Sequence, residues 1–201
     1  MSIIEVTGGR VELTFRQRWS HYLALAFGVI GLLIGLNLRE SFLSTTTVYT
    51  NLQAGITAEY PQNWLLEEGS GRDFIFRVRA ISERGYNTTI QVAARPISAD
   101  TTARNIFDVL TLERAQTLAA YNVIAEEPYT LPDGTIATSM IYTFVATDPN
   151  PFLQSIPIGV EGIDILLIER GQAIIVSFLS DAATFDKNAP VLNRFLRSLD
   201  F

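Results

Sequence analysis

The chain has 201 residues, a net charge of −6 and 48% hydrophobic residues, with no cysteine and a single histidine. The absence of cysteine excludes disulfides, thiolate metal sites and cysteine nucleophiles, and one histidine (His21) leaves the rest of the chain without a Ser–His–Asp triad or a His-ligated zinc centre. Residues 1–44 carry four arginines against three glutamates, whereas the remainder carries 11 basic and 18 acidic residues, and such an acidic region repels a phosphate backbone, so nucleic acid is not an expected partner.

Residues 1–18 are expected to be a cytoplasmic tail, or a short hairpin around Thr7-Gly8-Gly9 in "IIEVTGGRVELTF". From Trp19 to Leu38 no charged side chain appears. Twenty helical residues reach about 30 Å, the thickness of a bilayer core, so 19–38 is expected to be a transmembrane helix. Arg16 and Arg18 precede it, while Arg39 beyond it is balanced by Glu40, which places the N-terminus in the cytoplasm and the remainder outside. A cleaved signal peptide is the rival reading. It would need a long charged leader containing two glutamates, and no small-x-small cleavage site follows the run. His21 is then an interfacial residue of the anchor.

Within the anchor, Ala24, Gly28, Gly31 and Gly35 are spaced by four, three and four, lining small residues along one face. Such a face admits the close approach of another helix, although glycine is also common in membrane helices generally.

Residues 39–54 are expected to form a polar stalk, and 55–201 an extracytoplasmic domain. Strand signals fall at Ile56–Tyr60 and Trp64–Leu66, flanking a turn at Pro61, and then at 73–81 and 87–97. The period changes over 102–121, where Ile106, Phe107, Leu110, Leu118 and Tyr121 make a helical apolar face. Four further strand signals follow at "YNVIAEEPYTL", 135–147, 162–170 and 173–180, and a terminal helix from about Ala189 would bury Val191, Leu192, Phe195, Leu196 and Leu199. Consecutive hairpins with two amphipathic helices predict an α+β fold, a largely antiparallel sheet sandwiched by helices, plus the one N-terminal transmembrane helix.

The motif Tyr60-Pro61-x-x-Trp64, the mid-chain helix and the ending "LNRFLRSLDF" resemble the PsbP-like fold, known from extrinsic proteins of photosystem II and related bacterial lipoproteins. The resemblance spans roughly residues 50–201. It implies a non-catalytic domain that attaches to a membrane complex or helps assemble it. A transmembrane helix here takes the place of lipidation or a cleaved targeting peptide.

The carboxylates Glu67-Glu68, Glu126-Glu127, Asp164 and Glu169 are expected on the solvated surface, since neighbours in a strand point to opposite faces and do not converge. No cofactor or metal is expected. In "DPNPFLQSIPIGVEG", three prolines stiffen a loop whose Phe152, Leu153 and Ile156 either contact a partner or fold back onto the sheet. The expected function is that of a non-catalytic, single-pass accessory subunit that assembles or stabilises a membrane protein complex, photosynthetic or respiratory. Its partners would be subunits of that complex and the lipid bilayer, in a bacterial cytoplasmic or photosynthetic membrane. The alternative is an independent membrane-anchored binding domain for a small ligand or cation.

Overall fold

A computed structural model describes residues 15–52, 54–69, 74–81, 85–147 and 156–201. The expected N-terminal hairpin and most of the proline-rich loop (148–155) lie outside them. The chain divides into two compact units, residues 1–45 and 46–201. In the first, α1 (Phe15–Ser44) is one unbroken helix, and Trp19–Leu38 within it is long and apolar enough to cross a bilayer, with none of its residues buried.

The second unit begins with β1 (Thr46–Asn51) and β2 (Ile56–Pro61), a separate two-stranded antiparallel sheet. The stretch 39–54 is therefore not a polar stalk. Its first part continues α1 and its second pairs residue by residue with β2. The polar sequence "TTVYTN" hid this strand because only Tyr49 is buried, its ring 4.3 Å from that of Phe76.

The main sheet contains β3 (Trp64–Glu68), β4 (Phe76–Ala80), β5 (Thr89–Pro96), β6 (Ala119–Thr130), β7 (Ile136–Ala146), β8 (Ile158–Glu169) and β9 (Gln172–Asp181). Their order is β3-β4-β5-β9-β8-β7-β6, antiparallel throughout. After β5, helix α2 (Ala103–Thr117) carries the chain to the far edge, and β6 to β9 return by hairpins until β9 pairs with β5. Arg170 (φ 50) and Gly171 (φ 75) make the two-residue β8–β9 turn, whose left-handed backbone suits strand twist and favours glycine.

Each face of the sheet has its own core. On one face, Ile163, Ile165, Ile174, Val176 and Phe178 meet the β1–β2 hairpin and α3 (Phe185–Ser198) through Leu192, Phe195 and Leu196. Trp64 joins this core partly buried. On the other face, Ile106, Phe107 and Leu110 of α2 cover Met140, Tyr142, Phe144, Val160, Leu166 and Ile175. Strands β8 and β9 are covered on both faces, which is why their sequences are nearly continuous apolar runs.

Two helix boundaries differ from the sequence reading. Thr102 and Asn105 form a reciprocal cap at the start of α2. However, the helix stops at Thr117: Leu118 is extended, and Tyr121 belongs to β6, its ring 5.5 Å from Tyr142. Leu118 and Tyr121 fit a helical stripe, and no Gly or Pro interrupts it, so periodicity alone could not end the helix. In turn, α3 starts four residues before Ala189, with Pro190 in its second turn. Phe185 draws that first turn onto Phe178, ring centroids 5.3 Å apart.

Candidate functional site

Among the described residues, two regions present chemistry or shape beyond the packed core. The first is the anchor stripe. Ala24, Gly28, Gly31 and Gly35 all lie on α1 and are all exposed. A Cβ added at Gly28, Gly31 or Gly35 would meet nothing within 4 Å, so nothing among the described residues demands glycine there.

The second is a groove on the α2 face of the sheet, and strand register builds it. Because side chains alternate, Phe76, Val78 and Ala80 of β4 enter the core beneath α3 while Arg77 and Arg79 point the other way. Arg77 sits directly across from Glu67 on β3 and from Gln91 on β5. The same row continues through Ser177 of β9 to Asp164 of β8. The neighbouring row runs from Arg79 through Thr89, Leu179 and Gly162 to Tyr142. These two rows floor two cavities of about 860 and 550 Å³, both bordered by Arg77, Tyr86, Gln91 and Leu179.

At the β4 end, Arg77 donates from Nε (3.0 Å) and Nη2 (2.7 Å) to Gln91 Oε1 and lies 4.3 Å over the ring of Phe74. Its Nη1 is 3.5 Å from Glu67, which also pairs with Arg79. One carboxylate thus serves two guanidiniums. Burial holds the Tyr86 hydroxyl above its usual pKa, only partly offset by Arg77 and Arg79, so at neutral pH it is a hydrogen-bond donor.

At the α2 end, Arg114 reaches down to Asp164, with Nη2 3.0 Å from Oδ1 and Nη1 on Oδ2. The guanidinium lies 4.3 Å over the ring of Tyr142, whose hydroxyl donates to Asp164 Oδ1 at 3.3 Å. Burial alone would lower the Arg114 pKa, but Asp164 and Tyr142 outweigh it and hold the guanidinium more firmly protonated than usual. Asp164 is 0% exposed, so its expected place on the solvated surface is corrected: in a strand covered on both faces, either direction leads inward. Its orientation towards α2 supplies the partner that its burial requires. Arg95 and Glu113 pair nearby at 3.1 Å.

Of the other expected contact residues, Phe152 and Leu153 lie outside the described residues, and Ile156 is 82% exposed at the rim of the larger cavity. Of the charged groove residues, the sequence reading names Glu67 and Asp164, and only as surface carboxylates, though signals for the groove existed. The alternation of "FRVRA" puts two arginines on one face, and Asp164 is a lone acid in the apolar run "GIDILLI". Arg114 also continues the helical stripe of Ile106, Phe107 and Leu110.

The arrangement of sheet and covering helices is the PsbP-like fold. The solution structure of cyanobacterial PsbP (CyanoP) from Synechocystis sp. PCC 6803 matches with a TM-score of 0.55 and 17% identity, covering 78% of this chain and 92% of that one. The Ran-binding protein Mog1p of Saccharomyces cerevisiae matches more loosely, with a TM-score of 0.45, 12% identity, and coverage of 78% and 95%. A protein of unknown function from Pseudomonas aeruginosa gives a TM-score of 0.44, 11% identity, and coverage of 75% and 93%. No protein-family model matches the chain, and no curated protein does. At these identities the likeness defines the fold and leaves activity to be argued from the chain itself.

Proposed function

We propose that this chain is a non-catalytic, single-pass accessory subunit that helps assemble or stabilise a membrane protein complex, with photosynthetic or respiratory electron transport as the host process. The observation that carries this reading is the anchor: a 20-residue apolar span with 0% of it buried and small side chains along one stripe. In lipid, helices gain little from apolar burial against one another, so close backbone packing at small residues is a main source of affinity. Gly28, Gly31 and Gly35 keep that room open. The PsbP-like fold supports a docking role, and the lack of histidine and cysteine beyond His21 leaves the outer domain without a thiol nucleophile or an imidazole base. The flanking arginines orient the N-terminus to the cytoplasm and the domain outward, where Phe152, Leu153 and Ile156 would contact the partner.

Mild detergent extraction followed by native sizing tests the reading. The chain is expected to migrate with a larger complex, and Gly31→Leu with Gly35→Leu should release it. Migration of the unaltered chain as a free monomer would refute the subunit role.

A further inference from the structure

The groove on the α2 face has the attributes of a ligand site, and its charge and shape specify the ligand's class. We propose that it binds one amphiphilic anion, with a carboxylate or phosphate headgroup held by Arg77 and Arg79 and an apolar body lying along Leu179 towards Phe144 and Ile175.

Charge argues for the headgroup. Glu67 is the single acidic partner of both Arg77 and Arg79 among the described residues, which leaves a local positive excess in a region with 11 basic and 18 acidic residues. Nε and Nη1 of Arg79 have no protein partner among the described residues, and its side chain is 39% exposed. A planar guanidinium with two open donors matches a carboxylate or phosphate oxygen pair. Tyr86 adds a hydroxyl donor on the same wall. By contrast, Arg95 and Arg114 are matched one to one by Glu113 and Asp164, so the excess charge sits at one end only.

Shape argues for the apolar body. The cavity beside Arg79 measures about 860 Å³, far more than an inorganic anion fills and within the usual range for drug-sized ligands. It adjoins the cavity of about 550 Å³, whose wall combines Ala93, Leu110, Phe144 and Ile175 with the ion-paired Arg95, Glu113 and Arg114. A ligand anchored at Arg79 therefore has an apolar strip leading away from the unmatched charge, beside ion pairs that are already matched.

The test uses the full chain in neutral detergent micelles, read by native mass spectrometry. The probes are dodecanoate, dodecyl phosphate, inorganic phosphate and dodecanol. One retained dodecanoate or dodecyl phosphate per chain is expected, and the tighter of the two identifies a free fatty acid or a phosphate monoester lipid as the source. Arg79→Gln should weaken retention about tenfold or more. Asn87→Asp, which sets a carboxylate on the rim without touching the bonds of Arg77, should do the same. Equal retention in folded variants would overturn the proposal. So would inorganic phosphate or dodecanol displacing the amphiphiles at matched concentration. The inference does not rest on the accessory-subunit reading, whose test is migration and not ligand retention.

Discussion

Arg114 of α2 and Asp164 of β8 form a two-pronged ion pair inside the α+β unit, with the carboxylate fully buried and the guanidinium side chain only 17% exposed. The pair pins α2 across the sheet beside the groove. Its consequence is asymmetric: a buried pair contributes little net stability, but breaking it leaves a charge with no solvent to receive it.

Asp164→Asn is accordingly expected to destabilise the domain by about 3–5 kcal/mol, since Arg114 is left as an unmatched buried cation. Arg114→Met added to Asp164→Asn should restore a large part of that loss. Urea unfolding of the four chains of the cycle measures it, and simple additivity of the two single effects would show that the pair does not act as a unit.

Tyr142 predicts an alkaline response. Burial, followed by the neighbouring Asp164 carboxylate, holds its hydroxyl well above the ordinary value of 10.0. Its folded pKa is the higher one, so its contribution is complete below about pH 10 and is lost as pH rises, because the unfolded chain releases the proton first. Tyr142→Phe should flatten the fall of stability above pH 10 by up to about 1.4 kcal/mol per pH unit. The remaining slope belongs partly to Tyr86 and Tyr129, both also raised by burial. Chemical denaturation between pH 8 and about pH 11.5 reads the difference, and parallel curves would contradict it.

Gly162 gives a steric prediction. A Cβ there would lie 2.6 Å from Cζ of Tyr142 and 2.8 Å from Cδ2 of Leu179. Gly162→Ala must therefore displace the Tyr142 ring and the Leu179 side chain, at a cost of about 1–3 kcal/mol. Gly159, three residues earlier in the same strand, has nothing within 4 Å of an added Cβ. Gly159→Ala should change stability by less than about 0.5 kcal/mol, and equal melting temperatures for both variants would remove the steric account.

Much of the architecture was legible in sequence because its signals are local. The uncharged run from Trp19 to Leu38 measures itself against a bilayer, and the alternation in "DFIFRVRAI" already separates Phe76 and Val78 from Arg77 and Arg79. The β1 strand escaped notice because a pairing strand with a single buried side chain, Tyr49, has no pattern to detect. The end of α2 escaped because Leu118 and Tyr121 continue the helical stripe, while the left-handed backbone that turns the chain falls at Ala120, a residue with no turn signature.

The amino-acid sequence by itself determined the long apolar helix, the α+β class and the absence of Cys and His side chains from residues 46–201, since each depends on composition or short-range period. Only the tertiary structure decided which strands are neighbours. The pairing of β5 with β9 brings Gln91 beside Ser177 across 86 residues of chain, and no local rule carries information over that separation. From that register follow the groove between Arg79 and Tyr142 and the burial of Asp164 opposite Arg114. A charged residue's partner is chosen by the fold, because desolvation compels pairing without specifying from where in the chain the partner comes.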